Sequence, residues 1–113
     1  MATDIRAHLS NCGVSAQKVR LVLDSVRGKP AVSALDVLNF MPKVGARHVK
    51  KLLLSAIANA EENFGVSRDN LFLYKVTADE APTRKWRRFG ARGRFKPLLR
   101  RTSHVTIVLR EQE

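Results

Sequence analysis

A single cysteine, Cys12, is all the thiol chemistry that these 113 residues hold. An internal disulfide is therefore excluded, and a reducing compartment fits. No apolar run approaches the ~20 residues that a membrane-spanning helix needs, so membrane insertion is set aside. The first ten residues, Met1 to Ser10, carry Asp4 and Arg6 and lack the continuous apolar stretch of a secretory signal. Catalytic and metal-binding patterns are missing as well. His8, His48 and His104 are scattered, with no cysteine or carboxylate at metal-ligand spacing. Glu61 and Glu62 are adjacent, and adjacent helical residues do not face each other. No phosphate-binding glycine motif appears. The expectation is a protein that is not an enzyme and has no metal and no cofactor.

Carboxylates are also few. Ten Asp and Glu stand against 21 Lys and Arg, a net charge of +11, while 44% of the residues are hydrophobic. That apolar content is too high for a disordered chain, and the length suits one domain with one modest core, spanning 1–113. The charge calls for a polyanion, and by its sign alone nucleic acid and anionic membrane both qualify.

The excess is concentrated. From Arg84 to Arg101, nine of eighteen residues are basic and none is acidic: Arg84, Lys85, Arg87, Arg88, Arg92, Arg94, Lys96, Arg100 and Arg101. The rest of the chain holds twelve basic and ten acidic residues, so the body is nearly neutral.

The body begins with Ile5 to Leu9, read as a short edge strand. Ser15 offers an N-cap to a helix whose Val19, Val22, Leu23 and Val26 follow the i, i+3, i+4, i+7 pattern, with Gly28 placed to stop it. Pro30 suits the entry to a second, shorter helix through Ala34, Leu35 and Leu38, closed by Pro42. The strongest element runs from Val44 to Glu62, with Val49, Leu52, Leu53, Ala56, Ile57 and Ala60 as its apolar stripe. Lys43, Arg47 and Lys50 share a face away from much of that stripe, and Gly65 ends the helix. Beyond Asn70 the pattern becomes strand-like, Leu71, Leu73, Lys75, Thr77 and Asp79 alternating with Phe72, Tyr74, Val76 and Ala78. A second strand covers Thr102 to Leu109, rich in β-branched residues.

The basic segment thus lies between two strands and reads as a hairpin at about 79–102, not a tail. Ten or eleven residues per arm, at about 3.3 Å each, reach roughly 30 Å. Seven of its nine cations are arginines, whose planar fork grips phosphate bidentately and stacks on bases. Trp86, Phe89 and Phe95 are candidates for base stacking, and Gly90 and Gly93 allow close backbone approach. These residue types favour RNA. The competing readings are a localisation signal or solubilising loop for the basic stretch, and packing for the aromatics. For Arg47, Lys50 and Lys51 the default is a solvated helix face, and Asp79 and Glu80 are placed to pair with nearby arginines. A DNA-binding regulator needs a basic recognition helix, whereas most of the charge excess is in the loop. A membrane-active peptide needs an amphipathic basic helix that is absent. Gly90-Ala91-Arg92-Gly93 matches the GxxG of one RNA-binding module, but no helical pattern flanks it.

With these residues assembled, the chain resembles the family of bacterial large-subunit ribosomal protein twenty-two over its full length. The resemblance rests on Ser15-Ala16-Gln17-Lys18-Val19-Arg20-Leu21-Val22, on Val26-Arg27-Gly28-Lys29 and on Leu54-Ser55-Ala56-Ile57-Ala58-Asn59-Ala60-Glu61. Asp79-Glu80, Ala91-Arg92-Gly93-Arg94 and Arg101-Thr102-Ser103-His104-Val105-Thr106-Ile107-Val108 complete it. It implies an α+β fold, three helices packed on a small three-stranded antiparallel sheet with a long protruding β-hairpin. The function it implies is that of a structural constituent of the large ribosomal subunit, which binds large-subunit ribosomal RNA and supports assembly. Ser15, Lys18 and Arg20 would join the hairpin cations at that RNA. Arg87, Arg88, Phe89, Gly90, Ala91 and Arg92 would form a tip lining the nascent-peptide exit tunnel. Neighbouring ribosomal proteins and the nascent peptide are implied partners, and the implied location is the ribosome of the cytoplasm, with an organelle ribosome left open. Two departures stand out: Phe89-Gly90 where the family commonly has Pro-Arg, and Ala16 where it often has proline.

Overall fold

The computed structural model describes residues 4–82, 84–89 and 95–111, and for 84–89 and 95–100 the backbone only. Three helices, α1 (Ala16–Val26), α2 (Ala31–Phe40) and α3 (Val44–Asn63), follow strand β1 (Ile5–Cys12). After a 3₁₀ turn at Arg68–Asn70 come β2 (Leu71–Glu80), β3 (Arg84–Phe89), β4 (Phe95–Arg100) and β5 (Ser103–Glu111). β1, β5 and β2 form an antiparallel sheet with β5 in the centre, and β3 and β4 form a separate two-stranded ribbon. The fold is α+β.

The helices form where the apolar spacing demands. Val19, Val22, Leu23 and Val26 of α1 are all buried, as are Val49, Leu52, Leu53, Ala56, Ile57 and Ala60 of α3. Both stripes pack on the sheet face made by Val105, Ile107 and Leu109 of β5, in a core joined by Ile5, Leu71 and Leu73. Gly28, at φ +77, turns the chain out of α1 in a conformation that a side chain would strain. Gly45 serves close approach: a Cβ there would meet Val22 Cγ2 at 3.3 Å and Val14 Cγ1 at 4.0 Å, so α3 crosses α1 tightly at this point.

Three local expectations need correcting. Ser15 sits at the N-cap of α1, but its side chain makes no capping hydrogen bond. β1 continues past Leu9 to Cys12, over a bulge at which Asn11 takes φ 55, tolerable for Asn. Strict alternation fails in β2. Leu73 pairs with Leu109 and Lys75 with Val108, so Tyr74 is an extra residue. An unbroken alternation would place Leu71 and Leu73 on the same face as Lys75 and Asp79. The bulge resolves that conflict: Leu71, Leu73, Val76 and Ala78 are all buried, while Lys75 and Asp79 stay exposed.

The molecule measures 64 × 25 × 18 Å with a radius of gyration of 17.0 Å. A compact chain of this length would have about 13 Å. The difference reflects the β3–β4 ribbon, which continues beyond the end of the three-stranded sheet.

Candidate nucleic-acid interface

The ribbon begins where the β2–β5 ladder stops. Pairing runs out to Glu80 with Ser103, after which Pro82, lacking an N–H, cannot continue it. The junction is pinned. The Ala81 N–H donates to the Thr102 carbonyl at 3.1 Å, and the Thr102 hydroxyl donates to the Pro82 carbonyl at 3.1 Å. One step on, the buried Ser103 hydroxyl donates to the Val14 carbonyl at 2.8 Å, tying the root of the ribbon to the segment leading into α1.

Beyond the root, β3 and β4 run in register from Arg84 opposite Arg100 to Phe89 opposite Phe95. Arg88 faces Lys96 and Trp86 faces Leu98. Two of the six register pairs therefore place a basic residue opposite a basic residue, in a two-stranded ribbon of a kind that is marginal in water on its own. Gly90, Ala91, Arg92, Gly93 and Arg94 lie outside the described residues.

Three cations of the body are treated differently. Arg27 pairs with Asp24 at 3.3 Å and Arg68 with Glu61 at 2.9 Å. Arg110 pairs with Asp4, and its guanidinium lies 3.3 Å from the centre of the Tyr74 ring. The hydrogen bond from Arg110 holds the Asp4 carboxyl below the usual carboxylate range, and the same bond raises the Arg110 guanidinium. Among the residues expected at RNA, Ser15 is half-buried and Lys18 and Arg101 are exposed. Arg20 has a structural partner as well, its Nε donating to the Ala78 carbonyl at 2.9 Å.

That contact belongs to a set which the sequence pattern did not reveal. β2 is an edge strand, and its outward backbone groups are closed off by α1 and the turn after it. The Leu73 N–H donates to the Lys29 carbonyl, the Gly28 N–H to the Leu73 carbonyl, Arg27 to the Val76 carbonyl and Arg20 to the Ala78 carbonyl. The open edge is thereby covered. Sequence reading also took the histidines as scattered, but the fold brings His8 and His104 to 5.9 Å between ring centres. Both are engaged locally: His8 Nδ1 lies 2.9 Å from the Thr106 hydroxyl, and the Asn11 N–H donates to His104 Nδ1 at 3.1 Å.

Known proteins share this arrangement of sequence. The chain is 51% identical over 100 residues, 88% of its length, to proteins named Large ribosomal subunit protein uL22 in Thermoanaerobacter pseudethanolicus and another Thermoanaerobacter strain, covering 90% of each. To the protein of that name in Caldicellulosiruptor saccharolyticus it is 48% identical over 100 residues, 88% of this chain and 82% of the relative. A family model described as Ribosomal protein L22p/L17e matches residues 7–110. With its α+β body, basic ribbon and motifs matched almost from end to end, the chain belongs to the Ribosomal protein L22p/L17e family.

Proposed function

We propose that the chain is a structural, non-enzymatic constituent of the large ribosomal subunit, where it binds large-subunit ribosomal RNA beside neighbouring ribosomal proteins and supports assembly. The helices, sheet and hairpin act as one RNA-binding domain in the ribosome of the cytoplasm. Arg84, Lys85, Arg87, Arg88, Arg92, Arg94, Lys96, Arg100 and Arg101 take phosphate oxygens along the hairpin, and Ser15, Lys18 and the remaining donors of Arg20 do so at its root. Trp86, Phe89 and Phe95 stack on unpaired bases. The tip, Arg87 to Arg92, lines the exit tunnel and meets the nascent peptide.

The observation that carries this reading is the ribbon itself, cation set opposite cation and no carboxylate in its sequence, rooted by hydrogen bonds in a body that is almost neutral. Family membership supplies the kind of polyanion. Deleting Arg84 to Lys96 and following the protein through a high-salt wash of the large subunit tests it. Loss of co-sedimentation is expected; undiminished retention would make the body the anchor and remove the hairpin from the account.

A further inference from the structure

Helix α3 carries its charges the wrong way round for its own stability. The N-terminal end of a helix is the positive pole, favours acidic side chains and is best capped by Ser, Thr, Asp or Asn. Here the N-cap is Lys43, with no side-chain capping bond and no acidic residue in the first turn. Arg47, Lys50 and Lys51 follow within two turns, while Glu61 and Glu62 stand near the negative pole. Among the described residues no carboxylate lies within ion-pair distance of these four cations, in contrast to Arg27, Arg68 and Arg110. Lys43, Arg47 and Lys51 are exposed at four-residue spacing on the face away from the core stripe, spanning about 12 Å along the axis.

Two further features single out this end of the helix. Phe40, three residues before Lys43, is 87% exposed, and Val44 is 73% exposed, the two most exposed large apolar residues among those described. The position matters too. Val14, whose carbonyl holds Ser103 at the root of the ribbon, packs beside Gly45 in the first turn of α3. The cationic end of α3 therefore lies at the same end of the body as the hairpin root, and Glu61, bound to Arg68, lies toward the other.

We propose that the exposed face of Lys43, Arg47 and Lys51 is a second RNA-binding surface, which grips the phosphate backbone beside the root of the hairpin, with the Phe40 ring available to a neighbouring base. This rests on the reading of the chain as an RNA-binding protein and adds a binding surface outside the hairpin. A solvated helix face, the default reading of the sequence, does not account for a lysine at the N-cap with no acidic residue in the first turn and three further cations behind it. Phosphate accounts for the N-terminal end of the arrangement, because it neutralises the basic side chains and complements the positive pole of the helix together.

The test uses full-length protein and purified, protein-free bacterial large-subunit ribosomal RNA, with binding measured across a salt series. The triple variant Lys43→Gln, Arg47→Gln, Lys51→Gln should bind roughly tenfold or more weakly near physiological salt. Its log K against log salt should be shallower by about 0.7 to 0.9 for each phosphate that it no longer neutralises. A second variant, Lys43→Asp, supplies the missing cap and an acidic group at the positive pole. Its Tm should rise by roughly 2 to 8 °C while its RNA affinity falls. Opposite movement of stability and affinity is the signature. A folded triple variant with unchanged affinity and salt slope would overturn the proposal. So would a variant that binds RNA normally yet drops out of reconstituted subunits, since the face would then dock a protein neighbour. If the unaltered chain fails to bind this RNA, the RNA-binding reading itself fails.

Discussion

In the body, Arg27, Arg68 and Arg110 each lie within ion-pair distance of a carboxylate, and Arg20 closes a backbone carbonyl of the sheet edge. The ribbon from Arg84 to Arg100 has no acidic residue in its sequence, and its register sets Arg84 opposite Arg100 and Arg88 opposite Lys96. The same residue type thus has two fates. These four body arginines complete the fold, whereas the cations of the ribbon find no counter-charge in their own strands. Stability in the first region comes from apolar burial around Leu23, Leu53, Ile57 and Ile107, all nearly inaccessible to solvent. The second region has its root for anchorage and needs a partner for the rest.

If stability and binding are divided in this way, substitutions should separate them. The largest effect belongs to the core. Leu53→Ala, leaving a cavity beneath the sheet, should lower unfolding stability by about 2 to 5 kcal/mol in urea denaturation, with RNA affinity of the folded protein unchanged. Next comes Trp86→Ala in the ribbon, which should reverse the pattern. Stacking on a base is worth about 1 to 3 kcal/mol of binding, while the body should unfold as before. An equal loss of stability would mean that Trp86 belongs to the fold.

Arg20→Ala lies on the boundary between the two regions. Removal of its bond to the Ala78 carbonyl should lower stability by about 1 kcal/mol, readable as a lower Tm, because an edge-strand acceptor loses its partner. The smallest effect is expected at Asp4→Asn. The Asp4 carboxyl is depressed by Arg110, so its contribution is present at neutral pH and is lost as the pH falls through and below the ordinary carboxylate range. The Tm gap between the unaltered chain and Asp4→Asn should therefore close in acid; a gap that persists there would assign the effect to something other than the ion pair.

The helices were legible because their information is local. The spacing of Val19, Val22, Leu23 and Val26, or of Val49, Leu52, Leu53 and Ala56, is a statement about one helix face, and Pro42 and Gly65 mark stops in the same language. The basic hairpin was legible from charge and from the strand patterns on either side. What was not legible depends on neighbours. The bulge at Tyr74 exists because β2 must bury both Leu73 and Val76 against one partner, a condition visible only once β5 is in place. Likewise the bonds of Arg20 and Arg27 to strand carbonyls have no local signal, and exist only once α1 is laid along the open edge of β2. The meeting of His8 and His104 follows from the pairing of two strands nearly a hundred residues apart.

The division between a self-sufficient body and a partner-seeking hairpin is tested most directly by the salt dependence of binding to protein-free large-subunit ribosomal RNA. The unaltered chain is measured beside Arg84→Gln, Lys85→Gln, Arg87→Gln, Arg88→Gln. The account predicts a steep fall of log K with log salt for the unaltered chain. In the variant the slope should be shallower by about 0.7 to 0.9 for each phosphate left without its cation, with an unfolding curve that does not move. Superimposable slopes for the two proteins would contradict it.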